Sequence, residues 1–213
     1  MLNNFCDSTY CLAVEHLQCI RDDRVLFEDL NFSLSAGQLL QIEGPNGSGK
    51  TSLLRILCGL TLPTEGIVYW NNQDIQTIRS DYGATLTYIG HTQGVKAELT
   101  PLENLAMSRA LAVSPTAVDL ADALSQVGLY GFEDVPTRTL SAGQQRRVAL
   151  ARLLINDAQL WILDEPFTAL DKTAIAMVEE WLNTYTKGGG MAVLTSHHTV
   201  NCSHATILRL GTS

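Results

Sequence analysis

Apolar and polar residues follow two different patterns along the chain. Residues 12–19 and 30–34 alternate with a period of two, which predicts strands that bury one face. Residues 160–163 and 191–196 are mostly apolar without alternation, and this pattern predicts strands that are buried on both faces. A further short strand is predicted at 207–210.

Helical signals fill the middle of the chain and lie between these strands. Thr100 begins a capping box with proline at the first helical position, and Ser114 before another proline predicts a second helix that ends near Gly128. Longer helices are predicted at 142–156 and 173–185. Strands that alternate with helices predict an α/β fold with a mainly parallel sheet, and the early alternating strands predict an antiparallel β side layer.

Composition indicates a globular protein. Of 213 residues, 46% are hydrophobic and 17% are charged, which argues against extended disorder and fits a single domain over residues 1–213. No apolar run approaches the roughly 18 residues needed to cross a bilayer, and the N-terminus lacks the pattern of a secretory signal. We therefore expect a cytosolic location with reduced cysteines, and any role at a membrane requires a partner.

A glycine-rich stretch lies between the apolar run 39–42 and the helical run 52–57. Glycines allow successive backbone N–H groups to turn inward around a phosphate, and the following helix adds its unpaired N–H groups. This setting predicts a nucleotide-binding phosphate loop, in which Lys50 reaches the outer phosphates and the Thr51 hydroxyl coordinates Mg²⁺. The predicted loop consists of Gly44, Pro45, Asn46, Gly47, Ser48, Gly49, Lys50 and Thr51, and Ser52 follows it.

Two carboxylates, Asp164 and Glu165, follow the apolar strand at 160–163. At a strand end beside the phosphate loop, Asp164 is suited to hold Mg²⁺, and Glu165 is suited to orient and deprotonate an attacking water. Without the loop, the same pair could simply be helix-capping acids before Pro166. The loop upstream favours the catalytic interpretation.

A second candidate anion site opens the long predicted helix. Segment 140–144 places Ser141 at the start of that helix, where its side chain and the following backbone N–H groups can bind an anion. A capped helix start is common by itself. Its position between the helical block and the two carboxylates favours a functional role.

In their order, these motifs resemble the nucleotide-binding domains of ABC transporters. The order is the phosphate loop, a helical insert, the signature at 140–144, the carboxylates at 164–165, and the segments 168–171 and 196–197. The resemblance covers about residues 12–210. It implies a P-loop NTPase core with an α-helical subdomain inserted at 92–140, and ATP and Mg²⁺ as cofactors. It also implies ATP hydrolysis by a head-to-tail homodimer, in which each ATP lies between the phosphate loop of one subunit and the signature helix of the other.

The resemblance implies a role for each matching residue around the phosphates. Lys50 and Thr51 bind phosphate and magnesium. Asp164 supports the metal, and Glu165 is the catalytic carboxylate. His197 contacts the γ-phosphate.

Across the dimer interface, the resemblance implies a second set of contacts. Ser141 and Gly143, in the signature that ends at Gln144, cap the γ-phosphate bound by the other subunit. Asp171 belongs to the loop that couples the two sites.

Three positions depart from the family pattern. Arg21 stands near the place of an aromatic residue that stacks on adenine, and its guanidinium plane can stack on the base with weaker selectivity. The family glutamine after the core falls near His91, with Gln93 two residues later. Either side chain can approach Mg²⁺, so the sequence leaves both open. Ala142 replaces the usual signature glycine.

A histidine- and cysteine-containing segment near the C-terminus has the short spacing of a metal or haem site. It contains His197, His198, Cys202 and His204. We favour one phosphate-sensing histidine, His197, followed by a shortened surface loop. No Cys-x-x-Cys-His motif for covalent haem occurs in the sequence.

Within the family, several segments are similar to the ATP-binding subunits of haem-exporter complexes in cytochrome c maturation. They are residues 41–55, 88–91, 96–104 and 194–197. This similarity implies an integral membrane permease as partner and haem-chaperone release as the outcome. It also implies a peripheral position on the cytoplasmic side of the bacterial inner membrane. The alternative within the family is a permease for another substrate.

A different class of function is a soluble clamp with the same ATPase, as in DNA-repair or ribosome-associated relatives. Those proteins usually carry a long coiled coil or two such domains, and the sequence predicts neither. The net charge of −8 also disfavours nucleic acid as a partner, because a negative surface repels a phosphate backbone. We therefore favour the transporter subunit.

Overall fold

The chain forms two β-sheets and six α-helices within residues 10–92, 94–202 and 205–211, which the computed structural model describes. The strands are β1 (Cys11–Arg21), β2 (Arg24–Ser35), β3 (Leu39–Glu43), β4 (Glu65–Trp70), β5 (Gln73–Asp74), β6 (Leu86–Ile89), β7 (Leu160–Asp164), β8 (Met191–Thr195) and β9 (Ala205–Arg209). The helices are α1 (Lys50–Leu57), α2 (Arg79–Thr85), α3 (Pro101–Leu111), α4 (Leu120–Gln126), α5 (Ala142–Ala151) and α6 (Lys172–Lys187).

The central sheet is parallel and has the strand order β6-β7-β8-β3-β9. Every residue of β7 and β8 is buried, which explains why their sequences are mostly apolar rather than alternating. Because parallel strands place their carboxyl ends at one edge, the loop after β3 and the carboxylate at the end of β7 lie on the same side. The end of β8 lies between them.

The second sheet is antiparallel and has the order β2-β1-β4-β5. It matches the predicted side layer, so the predicted fold class is confirmed. Gly66 in β4 has a φ of 86°, and a Cβ there would lie 2.4 Å from the carbonyl oxygen of His16. Only glycine fits this close approach between β1 and β4, at the point where their register shifts.

The first predicted helix start is confirmed, and the second is wrong. The Thr100 side chain accepts a hydrogen bond from the Glu103 N–H at 3.2 Å, and the Glu103 carboxylate accepts one from the Thr100 N–H at 2.8 Å. Instead of a helix after Ser114, the chain pairs with the segment that follows α5, and Pro115 bridges to Asn156. Helix α4 begins later, where the Asp119 side chain caps it.

Helix α5 ends at Ala151, earlier than the apolar periodicity predicts. The N–H groups of Leu153 and Leu154 bond to carbonyls three residues back, at 3.0 and 3.1 Å, which tightens the last turn. The Ile155 carbonyl then accepts a hydrogen bond from Thr116 N–H, outside the helix. Side chains of α3, α4 and α5 share one apolar cluster that includes Leu105, Leu124 and Val148.

Two further observations concern membrane-spanning helices and cysteines. Among the described residues, no helix has the length and apolar character needed to cross a bilayer. The expectation that the cysteines are reduced holds for Cys19, Cys58 and Cys202, which are free thiols. It is wrong for Cys11, which is disulfide-bonded.

Candidate active site

An open cleft of about 610 Å³ lies at the carboxyl ends of β3 and β7. It brings together side chains that are far apart in the sequence. Of the residues predicted from the sequence, those that line it are Arg21, Asn46, Gly47, Gly49, Lys50, Thr51, Ser52, His91, Asp164, Glu165 and His197. Gln93 lies outside the described residues.

The loop between β3 and α1 needs glycine at both of its ends. A Cβ on Gly44 would lie 2.6 Å from the carbonyl oxygen of Leu210, and one on Gly49 would lie 2.9 Å from the Cβ of Leu26. Gly49 also has a φ of 94° as the residue that precedes α1. The loop therefore keeps its backbone N–H groups at the start of α1, where a helix favours an anion.

Lys50 is buried and points back across this loop. Its ammonium donates hydrogen bonds to the carbonyl oxygens of Gly44 at 2.7 Å and Pro45 at 3.2 Å. Neutral carbonyls hold the ammonium in place without cancelling its charge. The hydroxyl of Ser48, in the inner turn of the same loop, is buried without a hydrogen-bond partner in the described part of the chain.

Asp164 is buried at the end of β7, and two threonine hydroxyls orient its carboxylate. Thr51 donates to Oδ2 at 2.9 Å, and Thr195 donates to Oδ1 at 2.7 Å. A carboxylate beside a hydroxyl at the cleft offers the hard oxygen donors that Mg²⁺ prefers. No cluster of three or more His, Cys, Asp or Glu side chains suited to a metal occurs in the described ranges, so an all-protein cage is absent there. This donor set fits Mg²⁺ that is shared with a phosphate.

Glu165 lies beside Asp164 in an uncommon backbone conformation. Its φ is 49°, and its N–H donates to the Thr195 hydroxyl at 2.9 Å. Its carboxylate is mostly buried, and Oε1 lies 3.6 Å from Nε2 of His197, whose side chain is 64% exposed. Left-handed backbone at a non-glycine residue costs energy and is enriched at functional sites. The side chain of Glu165 is thus aimed into the cleft by a constrained backbone.

Arg146 was missed by the sequence analysis, although it contacts the backbone on both sides of Glu165. Its guanidinium is buried and donates to the carbonyl oxygens of Asp164 at 2.8 Å and Glu165 at 2.9 Å. Further bonds reach the carbonyls of Pro166 at 3.3 Å and Gly90 at 3.0 Å. Burial lowers the pKa of this guanidinium, and the carboxylates of Asp164 and Glu165 oppose that shift.

We expect Arg146→Met to lower the free energy of unfolding by about 3 kcal/mol, because several buried carbonyls lose a charged donor. Urea unfolding followed by circular dichroism measures this change. Arg138→Met is the matched control, since Arg138 is exposed, and it should change stability by less than about 0.5 kcal/mol. Equal effects of the two substitutions would contradict a structural role for the Arg146 network.

The predicted signature residues lie outside the cleft. Ser141 is exposed and caps α5, and it exchanges hydrogen bonds with Gln144 at 2.9 and 3.2 Å. Gly143 packs so closely on the next loop that a Cβ would lie 2.6 Å from the carbonyl oxygen of Ala169. None of the three lines the cleft formed by the phosphate loop of the same chain.

Asp171 also lies outside the cleft and links two helices. It caps α6 by accepting a hydrogen bond from Ala174 N–H at 2.8 Å. Its other oxygen accepts one from Arg147 of α5 at 2.8 Å. The loop before α6 is therefore tied to the helix that begins at Ser141.

Arg21 and His91 both lie at the rim of the cleft. The Arg21 guanidinium donates to the carbonyl oxygens of Leu62 at 3.2 Å and Ile20 at 3.4 Å. These bonds hold the guanidinium group at the end of β1. His91 lines the cleft directly after β6.

The C-terminal segment whose spacing resembles a metal or haem site makes other contacts at its described residues. His198 pairs with Glu179, with 3.2 Å between Nε2 and Oε1, and its ring contacts Phe167 edge-on. Cys202 lies near the Thr186 hydroxyl at 3.8 Å. His204 lies outside the described residues.

Comparisons with known proteins identify the family of this chain. The sequence profile of the ABC transporter family matches residues 27–168. The Cytochrome c biogenesis ATP-binding export protein CcmA of Methylococcus capsulatus is 56% identical over 193 residues, which are 89% of this chain and 92% of that protein. The protein of the same name from Pseudomonas syringae pv. tomato is also 56% identical, over 190 residues and 89% of both chains.

A solved structure of an ATP-binding subunit of an ABC transporter shares the fold. The two superpose with a TM-score of 0.80 at 24% identity, over 93% of this chain and 87% of the other. The chain therefore belongs to the ABC transporter family, in the branch formed by the cytochrome c biogenesis ATP-binding export proteins.

Proposed function

We propose that this chain is the ATP-hydrolysing subunit of a membrane ABC translocator and that it works as a head-to-tail homodimer. The observation that carries the proposal is the single cleft that contains Lys50, Thr51, Asp164, Glu165 and His197. These residues combine a fixed positive charge, two oxygen groups that can bind a metal, and a carboxylate that lies 3.6 Å from a histidine nitrogen. Such a set is suited to phosphoryl transfer to water, in which catalysis is mostly positioning and charge stabilisation.

In the proposed reaction, the residues of the cleft divide the work. The Lys50 ammonium and the N–H groups at the start of α1 bind the phosphates. Thr51 and Asp164 would hold Mg²⁺, which supplies charge neutralisation on the phosphate oxygens when bound. Glu165 orients a water molecule for attack on the γ-phosphorus and accepts its proton. His197, close to Glu165, contacts the γ-phosphate.

Residues that lie outside the cleft of their own chain support the proposed dimer. Ser141 and Gly143 lie at the N-terminus of a ten-residue helix, which favours an anion, yet they are absent from the lining of the cleft in their own chain. A second copy related by a two-fold axis can place its Ser141 opposite Lys50, and the same operation completes the other site. ATP binding would then close the dimer, and hydrolysis would reopen it.

The names of the similar proteins support the partner and the transported substrate. They are described as export proteins of cytochrome c biogenesis, so we propose a permease of a haem-exporter complex as the partner. In this proposal, residues 92–140 form a helical subdomain. The chain lies peripherally on the cytoplasmic side of the bacterial inner membrane. A permease for another substrate is the alternative.

A soluble clamp is less well supported. The longest helix in the described part of the chain is α6, with 16 residues, so the long coiled coil of that class is missing there. Salt-sensitive binding of RNA or DNA would revive this candidate, because counterion release makes such binding weaken steeply with salt.

Purification of the tagged chain from detergent-solubilised membranes tests the proposal. We expect a multi-span membrane protein to co-purify and the complex to hydrolyse Mg-ATP. The identity of the associated protein then separates a haem exporter from a permease for another substrate. Recovery of the chain without any spanning protein, at the level of an untagged control, would contradict the transporter role.

A further inference from the structure

The segment that carries His197 lies outside the strands and helices of the fold. It leaves the sheet after Thr195, at the end of β8. The His197 side chain is mostly exposed and lies 3.6 Å from the Glu165 carboxylate. The distance between the two side chains therefore depends on what holds the backbone of residues 196–201, which we call the histidine segment.

Gln41 of β3 forms two hydrogen bonds with the backbone of the histidine segment. Gln41 is 1% exposed, and its amide nitrogen donates to the carbonyl oxygen of His198 at 3.0 Å. Its amide oxygen accepts a hydrogen bond from Val200 N–H at 3.2 Å. One side chain thus satisfies a donor and an acceptor of the segment directly after His197, as a neighbouring strand would. A buried amide that loses such partners is costly, so the arrangement is specific.

Glu179 of α6 also forms hydrogen bonds with the histidine segment. Its Oε1 lies 3.2 Å from Nε2 of His198 and accepts a hydrogen bond from Asn201 N–H at 3.1 Å. Asn183, one helical turn later, donates to the carbonyl oxygen of Asn201 at 2.8 Å. The histidine segment is therefore fixed by side chains from both β3 and α6.

We infer that Gln41 and Glu179 are positioning residues for the hydrolysis proposed above: they hold His197 at its distance from Glu165. Neither of them lines the cleft, so neither touches the nucleotide. They act on the backbone of His198, Val200 and Asn201, and this backbone determines where the adjacent His197 ring lies. This inference rests on the proposed function and adds to it the source of the geometry of His197.

Gln41→Met tests the inference, because it keeps the length of the side chain and removes the hydrogen bonds to the backbone of His198 and Val200. It also removes the 3.3 Å hydrogen bond that the Gln41 amide donates to the Glu43 carboxylate, so Glu179→Ala, which leaves that bond in place, is tested beside it. We expect kcat for Mg-ATP to fall about 5- to 20-fold with KM changed less than about twofold, since the phosphate-binding loop is untouched. The matched control is Gln38→Met. Gln38 lies just before β3, and its side-chain oxygen accepts a hydrogen bond from Ser35 N–H at 2.8 Å, away from the histidine segment. It should leave kcat unchanged.

A double-mutant cycle separates positioning from a general loss of stability. Single-turnover hydrolysis of radiolabelled ATP measures the hydrolysis rate even of slow variants. In a His197→Ala background, Gln41→Met should lower the rate by less than about twofold, because the group through which it acts is gone. An undiminished effect in that background overturns the inference.

Glu179→Ala provides a second test of the inference if Gln41→Met folds poorly. It should also lower kcat, and this effect should disappear in the His197→Ala background. The control is Glu180→Ala, at the exposed neighbouring position, which should have no effect on kcat. If the wild-type protein hydrolyses ATP and both Gln41→Met and Glu179→Ala match it, the positioning inference is wrong and the proposed function stands. If the wild-type protein fails to hydrolyse ATP with its membrane partner, the proposed function falls, and the inference falls with it.

Discussion

Glu165→Gln is expected to lower the rate of ATP hydrolysis by roughly 10²–10⁴-fold while ATP binding is retained. Glutamine has the shape of glutamate but cannot accept a proton from water. The contacts that orient Glu165 are made by its backbone, to Thr195 and Arg146, so the substitution leaves them intact. The variant should therefore differ from the wild-type protein in chemistry rather than in fold.

Two measurements on this variant separate binding from turnover. Phosphate release gives the rate, and fluorescent-nucleotide titration gives the affinity. Since hydrolysis would reopen the dimer, the variant should also accumulate as a dimer with Mg-ATP in size-exclusion chromatography. Glu180→Gln, on the exposed side of α6, is the control and should turn over normally. Normal turnover in Glu165→Gln would remove Glu165 from the catalytic role.

Ser141→Arg is expected to prevent dimerisation with Mg-ATP and to lower turnover by about 10²-fold or more, since the second anion site is lost. An arginine side chain would fill the space that the nucleotide of the other subunit requires. Affinity of the monomer for ATP should stay within about twofold of wild type, because Ser141 does not line the cleft of its own chain. Analytical ultracentrifugation with and without Mg-ATP measures the association.

Two further variants make this test specific. Ser141→Asp keeps a good helix cap but places a negative charge toward the incoming phosphate, so it should also block association without weakening α5. Ser125→Arg adds the same bulk at an exposed position of α4 and should dimerise normally. Dimerisation of Ser141→Arg at wild-type concentrations of Mg-ATP would contradict the head-to-tail arrangement.

A mixing experiment tests whether each site is shared by two chains. Lys50→Ala and Ser141→Arg should each be inactive alone. In a mixed dimer, the intact Lys50 of the Ser141→Arg chain faces the intact Ser141 of the Lys50→Ala chain. One complete site therefore forms. Turnover above that of either parent is expected on mixing, whereas a site contained within one chain would show no recovery.

The two variants that we expect to have the largest effects concern residues that the sequence already singled out. Lys50, Thr51, Asp164 and Glu165 belong to contiguous motifs, in which a short run of residues and its flanking apolar strand indicate the chemistry. Parallel strands then bring the motifs to one edge of the sheet. The confirmed parallel topology therefore explains why motifs over 100 residues apart line one cleft.

The positioning residues that were not predicted from the sequence have no such local signal. Arg146 looks like an ordinary charged residue on a helix, and Gln41 looks like one polar residue in an apolar strand. Thr195 bonds both the Asp164 carboxylate and the Glu165 N–H, yet by sequence it is only the end of a buried strand. Their importance comes from the backbone groups that other elements place beside them.

The errors in the predicted elements have the same origin. Ser114 followed by proline is a sound helix-start signal, but the chain there pairs with residues after α5 instead. Helix α2 has no clear periodicity and was not predicted. Its Tyr82 is buried and donates its hydroxyl to the Leu57 carbonyl at 2.6 Å, so tertiary packing stabilises it.

By itself, the sequence determined the phosphate loop, the two carboxylates, the signature and the α/β class, because each is encoded by neighbouring residues or by the period of apolar positions. Only the tertiary structure decided which side chains hold these motifs in place, namely Arg146, Thr195, Gln41 and Glu179. Their hydrogen bonds join backbone groups from distant strands and helices, and no local pattern specifies which distant carbonyl or N–H group a polar side chain will meet.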